Sequence, residues 1–576
     1  MCDIYLILFF MQDSTVQTKT CHQCQTSFEI TQWDMEFYEK ISPTFAGKQF
    51  SIPAPTLCPA CRQQRRLAFR NERNLYRRIC DASGKQIISI YSPDKSYKVY
   101  DQKVWWSDQW DPMDYGRDFD FSKTFTEQFG ELMREVPHCS ILNINSENSE
   151  YTNICANNKN CYLIVESSNN EDCYHGYWMQ KSKDCLDCAM VNMSEHCFQC
   201  VDLDNCFGLY YCQYCWSCQK SYFLEHCINC EFCFGCVWLE YQQYYIFNQK
   251  ANKEEYEKTV SLYLQGDSEQ REEIRKKFKE LIAEQQVYQH IRKSENVSWD
   301  YIYDSSNIVS SYEINDANNV SYSKHVRFNS WDCMDVDTVW YNSFGMYECI
   351  NTALDASHNL FCMRCRSWCS WNMYCFNCDS VSQSFGCVGL RNKSYCIFNK
   401  QYTKEEYEKM VARIIEHMMG SLSPHLVGTP LGKEGGERGE FFHPSLSPFG
   451  YNETVAQEYF PSSIIEKNDN NDVISYHGLP RFARNDNGLE LSQLWYKRSE
   501  YEAPKPVSDK VIEVKDLPDS IAEVEDSILQ FAISCELTGK LFRIQPQELA
   551  FYRKHNIPLP RKHPDQMHLE RLALRR

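Results

Sequence analysis

The sequence predicts a mainly β protein with helices, of the α+β class. We expect two tandem repeat regions of the β-solenoid type, flanked by an N-terminal zinc ribbon and a degenerate C-terminal copy of that ribbon. Three observations lead to this prediction. Two CxxC motifs lie near the N-terminus, cysteines in the middle recur at multiples of three residues, and a long motif beginning at Phe234 returns 151 residues later at Phe385.

The composition limits the class of protein. A chain of 576 residues is too long for one core, so three or more domains are expected. A net charge of -18 excludes a general polyanion binder, so nucleic-acid contact would need a local basic patch. The 32 cysteines include CxxC pairs, which favour metal binding in a reducing, cytoplasmic compartment over disulfides. The apolar run at residues 4–11 is too short to span a bilayer, and no membrane contact is expected.

The changes of pattern along the chain predict ten segments. They are an N-terminal tail (1–18), a zinc ribbon with an arginine-rich helix (19–80), an α/β connector (81–138), a first β-solenoid (139–250), a helical cap and linker (251–293), a second β-solenoid (294–400), a capping helix (401–418), a glycine-rich linker (419–440), an unassigned segment (441–530) and a degenerate ribbon-like module (531–576).

The first motif pair predicts a metal site. Cys21 and Cys24 form one CxxC turn, and Cys58 and Cys61 form another. Each turn can direct two thiolates at one ion, and four thiolates are the usual ligands of a structural zinc. We therefore expect one Zn²⁺ that stabilises the N-terminal module without an open coordination position.

The C-terminal segment repeats this pattern with altered ligands. Alignment places Cys535, Thr538, His563 and Gln566 on the four cysteine positions. Threonine and glutamine are poor zinc ligands, so we expect the same fold without its metal. The alternative is a half-site of Cys535 and His563 completed by another chain. The segment "CDASGKQIISI" at Cys80 resembles a third, partial knuckle.

A row of arginines follows the second CxxC motif. On a continuous helix they would share one face, because they are spaced four, four, three and four residues apart. Such a row suits a phosphate backbone, and the alternative is that it docks on the acidic remainder of the same chain. The five residues are Arg62, Arg66, Arg70, Arg73 and Arg77.

The middle of the chain keeps a three-residue rhythm. Every interval between successive cysteines from Cys155 to Cys236 is a multiple of three, and a polar residue tends to precede each cysteine. A fixed short period with polar corners is typical of a β-solenoid, in which compact cysteines point inward. Because the aromatic residues are large, we expect a turn of about two twelve-residue units.

The same rhythm bears on the densest cysteine run. Cys227, Cys230, Cys233 and Cys236 could hold zinc or an iron–sulfur cluster. They follow the spacing of the other middle cysteines and have no flanking proline, so a structural ladder is the favoured interpretation, with metal as the alternative.

A helix should close each repeat region. Both copies of the long motif end in "IFN", and a capping box follows, with Asn252 and Glu255 in the first and Thr403 and Glu406 in the second. Such helices can cover the open edge that a stack of strands would otherwise expose.

Three stretches carry a family resemblance: "CPACRQQRRLAFRNERNLYRR", "YYIFNQK" and "ELAFYRKHNIPLPRKHPD". With them the chain resembles an uncharacterised bacterial family of cysteine-rich zinc-ribbon proteins. The resemblance implies the zinc ribbon and no established activity. The chain has "HPDQ" where a second CPxC is normal, which argues against a second ribbon metal.

The function expected from sequence is that of a non-enzymatic, zinc-stabilised scaffold or binding protein. A phosphate-binding loop, GxSxG and HExxH were not found. The partner is unknown, and a protein partner on the solenoid faces is one candidate. The alternatives are RNA or DNA binding through the arginine helix and a multi-cysteine redox protein with zinc or iron–sulfur.

Overall fold

The computed structural model describes residues 14–284, 289–339, 341–351, 354–420, 437–461, 466–467, 473–474, 496–501 and 510–575. The apolar run at 4–11 and most of the glycine-rich linker lie outside them. The fold is mixed α+β with more strand than helix, as predicted. Within the described ranges, no helix has the length and apolar character needed to cross a membrane.

Ten α-helices are found in the described residues. They are α1 (Gln32–Ile41), α2 (Pro59–Leu67), α3 (Gln102–Trp105), α4 (Phe125–Glu135), α5 (Lys253–Gln265), α6 (Ser268–Ala283), α7 (Lys404–Gly420), α8 (Val455–Tyr459), α9 (Pro546–Lys554) and α10 (Pro564–Ala573).

The strands fall into groups along the chain. The first group is β1 (Thr15–Thr20), β2 (Ser27–Thr31), β3 (Thr44–Phe45), β4 (Lys48–Gln49), β5 (Tyr76–Ile79), β6 (Gln86–Ser89), β7 (Val99–Tyr100) and β8 (His138–Cys139). The first repeat region, residues 139–250, contains β9 (Asn143–Ile144), β10 (Cys155–Ala156), β11 (Glu171–Tyr174), β12 (Tyr177–Gln180), β13 (Lys183–Leu186), β14 (Ala189–Asn192), β15 (Val201–Asp204), β16 (Phe207–Tyr210), β17 (Gln213–Trp216), β18 (Gln219–Glu225), β19 (Glu231–Val237), β20 (Gln243–Ile246) and β21 (Gln249–Lys250).

The second repeat region, residues 294–400, and the segments around it hold the rest. They are β22 (Ile291–Arg292), β23 (Glu295–Val297), β24 (Ile302–Tyr303), β25 (Ser306–Val309), β26 (Ile314–Ser321), β27 (Lys324–Met334), β28 (Asp337–Val339), β29 (Phe344–Tyr347), β30 (Cys396–Ile397), β31 (Lys400–Gln401), β32 (Glu466–Lys467), β33 (Val473–Ile474), β34 (Val511–Glu513), β35 (Ala532–Ser534) and β36 (Leu541–Phe542).

In the first repeat region, each of the strands β9 to β19 pairs in parallel with the chain twelve residues later, and β20 and β21 pair antiparallel at its end. Cys173 pairs with Cys185, and Val201 pairs with Gln213. The expected turn of about twenty-four residues is therefore wrong. The large side chains do not fill a wider interior, because residues such as Tyr174 and Phe198 point outward and pack against the C-terminal module, residues 531–576.

The backbone explains the three-residue rhythm. Every third residue from Ile154 to Phe247 has a positive φ, and the residue after each of these positions is buried from Cys155 to Cys236. Asparagine, aspartate and histidine tolerate positive φ better than most residues, which accounts for the polar residue that tends to precede each cysteine.

Cysteine suits the buried position because it is compact and can still hydrogen-bond weakly. The backbone N–H of a buried residue donates to the side chain one turn earlier: Cys161 to Ser149 Oγ at 2.9 Å, and Cys230 to Cys218 Sγ at 3.4 Å. The cysteine thiol therefore accepts a hydrogen bond from a backbone N–H of the next turn, as the serine hydroxyl does at other positions. A buried N–H without such an acceptor would be costly.

The second repeat region is less regular. Its parallel partners are eleven residues apart at Glu295 and Ser306, twelve at Ile302 and Ile314, and thirteen at Trp331 and Phe344. Cysteines and aliphatic residues again fill the interior. The varying turn length explains why the sequence rhythm is weaker here.

Helices pack at the end of each repeat region. In α5, Tyr256 and Tyr263 pack with Phe234 near β19 and β20. In α7, Tyr407 joins the core that contains Ile397 of β30. Both predicted capping boxes are present, since Asn252 Oδ1 and Thr403 Oγ1 accept from the backbone of Glu255 and Glu406.

Candidate metal centre

The Cys₄ cluster lies where β1, β2 and α2 meet. Cys21 begins the turn between the two strands, and its backbone N–H donates to Thr26 O at 2.9 Å. Cys58 is the N-cap of α2, and Pro59 occupies the first helical position, where proline is favoured. Cys61 lies in the first turn of that helix, so the positive end of the helix dipole favours thiolates here.

The four sulfurs form a compact group. They all lie within 4.8 Å of one another, and Cys24 Sγ and Cys58 Sγ are 3.7 Å apart. Tetrahedral zinc with Zn–S bonds of about 2.3 Å would place its sulfurs about 3.8 Å apart. Cys21, Cys58 and Cys61 are buried and Cys24 is half-buried. The residues therefore fit a tetrahedral metal ion held by thiolates.

The thiols of the cluster also differ in the direction in which their pKa is shifted. Hydrogen bonds from Cys21, Cys58 and Cys61 lower the pKa of the Cys24 thiol, whereas hydrogen bonds with Cys21, Cys24 and Cys58 raise the pKa of Cys61. Crowded thiols of this kind are stabilised when a cation replaces their protons.

The same turn occurs at two further cysteines. Cys21, Cys80 and Cys535 each donate a backbone N–H to the carbonyl five residues later, at 2.9, 2.8 and 3.0 Å. The partial knuckle at Cys80 and the C-terminal copy therefore keep the local turn of the knuckle at Cys21. The turn does not need the metal ligands, because backbone hydrogen bonds close it.

At the C-terminal copy, His563 caps α10 as Cys58 caps α2. Its Nδ1 accepts from Asp565 N at 3.1 Å. Cys535 and His563 belong to no metal-like group in the part of the chain that is described. His563 Nδ1 is therefore already occupied by the capping hydrogen bond of α10.

The run from Cys227 to Cys236 lies inside the first repeat region. Each of its thiols donates to a backbone carbonyl, for example Cys227 to Glu225 O at 3.4 Å and Cys230 to Leu239 O at 3.2 Å. Cys233 and Cys236 donate in the same way at 3.5 and 3.4 Å. Within the described residues, the structure does not bring these four sulfurs within 4.8 Å of one another as a group.

The predicted continuous arginine helix is wrong. Helix α2 ends at Leu67, and Arg77 lies in strand β5. The Asn71 side chain accepts from Asn74 N and donates to Asn74 O, which favours a turn over a further helical turn.

Three of the five arginines are buried against carboxylates of the repeat regions. Arg62 Nε donates to Asp335 Oδ2 at 2.8 Å, and Arg66 lies 3.3 Å from the same carboxylate. Arg70 Nη2 donates to Glu166 Oε1 at 2.7 Å. These guanidinium groups do not form an exposed row.

The remaining two arginines also contact the protein itself. Arg73 lies 3.4 Å from Asp565 of the C-terminal module. Arg77 is exposed and donates to the Tyr151 hydroxyl at 2.9 Å. Arg77 alone therefore keeps an exposed side chain.

A second metal-like group was missed by sequence reasoning. It consists of Asp184, His196 and His555, whose ligand atoms all lie within 4.8 Å. Asp184 and His196 are one twelve-residue turn apart, so the correct turn length would have placed them together. His555 comes from the C-terminal module, and no spacing connects it to the other two.

Comparison with known proteins gives no match: neither a protein-family model nor a curated protein corresponds to this chain. The function is therefore inferred from the residues of this chain alone.

Proposed function

We propose that the protein is a non-enzymatic scaffold or binding protein, in which one Zn²⁺ holds the N-terminal module and two β-solenoids provide the frame. The observation that carries this proposal is the Cys₄ cluster, which lies within the N-terminal module where β1, β2 and α2 meet. Four thiolates leave no open coordination position, which is typical of structural rather than catalytic zinc.

The strand pairing supports the solenoid frame. Parallel partners twelve residues apart recur throughout the first repeat region, and partners eleven to thirteen residues apart recur in the second. A chain that pairs with itself at such a short, repeated interval stacks turn upon turn. Both stacks carry buried cysteines in their interior, so we assign most thiols a packing role.

Exposed aromatic residues on the second repeat region support a binding role. Tyr341 pairs with Leu354, and the backbone N–H of Trp368 donates to Leu354 O at 2.9 Å, so these three exposed residues are neighbours at the surface. The side chain of Trp368 is 64% exposed, and that of nearby Trp371 is 51% exposed. Clustered large apolar side chains at a surface often mark a contact site for another protein.

The two alternative functions receive less support. Arg62, Arg66 and Arg70 are buried with carboxylates, which favours docking over RNA or DNA binding. The middle thiols donate to backbone carbonyls, which favours packing over an iron–sulfur redox centre. The resemblance to a bacterial zinc-ribbon family stays a prediction.

Elemental analysis and a visible spectrum of the purified protein test the proposal. Cys58→Ser should contain one zinc per chain less than wild type, and its N-terminal module should unfold, because such a site can contribute about 10–16 kcal/mol to folding. Cys80→Ser is the matched control, since Cys80 has the same knuckle turn outside the cluster. Unchanged zinc in Cys58→Ser contradicts the assignment, and bound iron with visible absorbance favours the redox alternative.

A further inference from the structure

Two imidazoles and a carboxylate meet where the C-terminal module docks on the first repeat region. Asp184 Oδ2 lies 2.6 Å from His196 Nδ1 and 2.9 Å from His555 Nε2. In the described part of the chain, this group and the Cys₄ cluster are the two sets of His, Cys, Asp and Glu side chains with metal-like spacing.

The fold holds two of these side chains on one face. Asp184 and His196 have φ angles of 50° and 56° and occupy the same corner of successive turns, since Lys183 pairs with Glu195 beside them. Both side chains therefore leave the first repeat region in the same direction from adjacent turns. Aspartate and histidine are residue types that accept this backbone conformation.

The third side chain is positioned by helix packing. His555 directly follows α9, whose Phe551 and Tyr552 pack with Phe198 and Leu186 on the outside of the first repeat region. The site is thus assembled from two rigid elements that are distant in sequence. A metal ion here would join the C-terminal module to the first repeat region.

The donor set and its surroundings suit a divalent transition metal. Imidazole nitrogens and a carboxylate oxygen are ligands of Zn²⁺, Co²⁺, Ni²⁺ and Fe²⁺. The other ring nitrogen of His555, Nδ1, lies 3.0 Å from the Tyr210 hydroxyl. Metal-ligating histidines usually donate their second N–H to such a partner, which fixes the ring and the tautomer.

We infer that Asp184, His196 and His555 form a second metal site, for a divalent ion such as Zn²⁺ or Co²⁺, that clamps the C-terminal module to the first repeat region. Three protein ligands leave at least one coordination position open to water. The site shares no residue with the Cys₄ cluster, so loss of either site leaves the other testable.

Lys554 contacts the carboxylate of this group. Its Nζ lies 2.6 Å from Asp184 Oδ2, and its side chain is 56% exposed. Because the Lys554 side chain is more than half exposed, it can withdraw to solvent and leave the Asp184 carboxylate to a metal ion. The rival interpretation is an ion-pair cluster that takes no metal.

Calorimetric titration of ZnCl₂ into the full-length protein with its Cys₄ cluster filled tests the inference. We expect one further Zn²⁺ to bind to wild type and to raise the melting temperature. His196→Ala and His555→Ala should each lower the affinity by at least about 10–100-fold, because even an outer partner of a ligand has an effect of that size. His417→Ala, on α7 and in neither group, should bind zinc as wild type does.

Two further variants keep the test decisive if a histidine variant does not fold. Tyr210→Phe should weaken zinc binding about 10–100-fold through the lost partner of His555. Lys554→Gln should bind zinc as tightly as wild type or more tightly, because it removes a competing positive charge. The inference is overturned if wild type takes up no zinc beyond the Cys₄ cluster, if both histidine variants retain full affinity, if Tyr210→Phe is unaffected or if Lys554→Gln weakens binding.

Discussion

Replacement of Arg62 by methionine should destabilise the docking of the N-terminal module on the second repeat region. The Arg62 side chain is 1% exposed, and its partner Asp335 is fully buried. Removing the guanidinium leaves a buried carboxylate without its closest cation, which costs about 3–5 kcal/mol in comparable buried pairs. We expect the lower end of that range, about 3 kcal/mol, because Arg66 remains 3.3 Å from Asp335.

The measurement is urea unfolding followed by circular dichroism and by zinc release to a coloured chelator. Asp335→Asn and the double variant Arg62→Met with Asp335→Asn complete a double-mutant cycle, and the double variant should lose less than the two single losses together. Lys40→Met is the matched control. Lys40 contacts Asp332 of the same repeat region at 2.7 Å, but its side chain is 61% exposed, so this loss should stay below about 1 kcal/mol.

The reasoning is refuted if Arg62→Met costs no more than Lys40→Met. That result would mean that water reaches the pair in solution. The arginines would then be accessible to other anions, and nucleic-acid binding would regain support.

Three other predictions follow from contacts described above or from burial. Glu225→Gln should remove a pH-dependent loss of stability. Burial raises the pKa of Glu225 from 4.5 to about 7, so the contribution of this residue to the free energy of unfolding is fully present below pH 4.5 and falls by up to about 3 kcal/mol as the pH rises through 7. Unfolding curves of wild type and variant across this pH range would detect the difference. Cys218→Ala should cost about 1–3 kcal/mol more than Cys218→Ser in thermal or urea unfolding, because serine keeps an acceptor for the buried Cys230 N–H and alanine does not; equal losses would contradict the thiol's hydrogen-bonding role. Arg66→Glu with Arg70→Glu should lower the melting temperature, and neither wild type nor variant should retain labelled RNA or DNA on a filter at low salt; salt-sensitive retention by wild type alone would reverse this expectation.

The sequence predicted the parts of the fold that depend on local pattern. The cysteine knuckles, both capping boxes and the three-residue rhythm are each encoded within a few residues. The φ-positive corner before each buried cysteine leaves a direct trace in the choice of asparagine, aspartate and histidine. The Cys₄ cluster was predictable because the two CxxC motifs contain all four of its cysteines.

The parts that depend on packing between distant segments were not predictable. The turn length was overestimated because Tyr174 and Phe198 could be assigned to an interior or to an outer face only once the C-terminal module was seen to cover them. The arginine row was predicted to continue along one helix, although α2 ends at Leu67, and the carboxylates that bury Arg62 and Arg70 come from distant repeat regions. The proximity of Asp184 and His196 could not be predicted without the twelve-residue turn length. No sequence pattern near these two residues indicates a contact with His555.

The docking of the N-terminal module has a consequence for folding during synthesis. Arg62 and its carboxylate are 273 residues apart, and contacts this distant in sequence form late because a long loop must close first. At a synthesis rate of about 5–20 residues per second, roughly 14–55 seconds pass before Asp335 follows Arg62 out of the ribosome's active centre. A nascent chain therefore carries an uncompensated arginine-rich segment for that interval. The finished protein buries Arg62, Arg66 and Arg70, so exposure of these three side chains distinguishes an incomplete chain from a folded one.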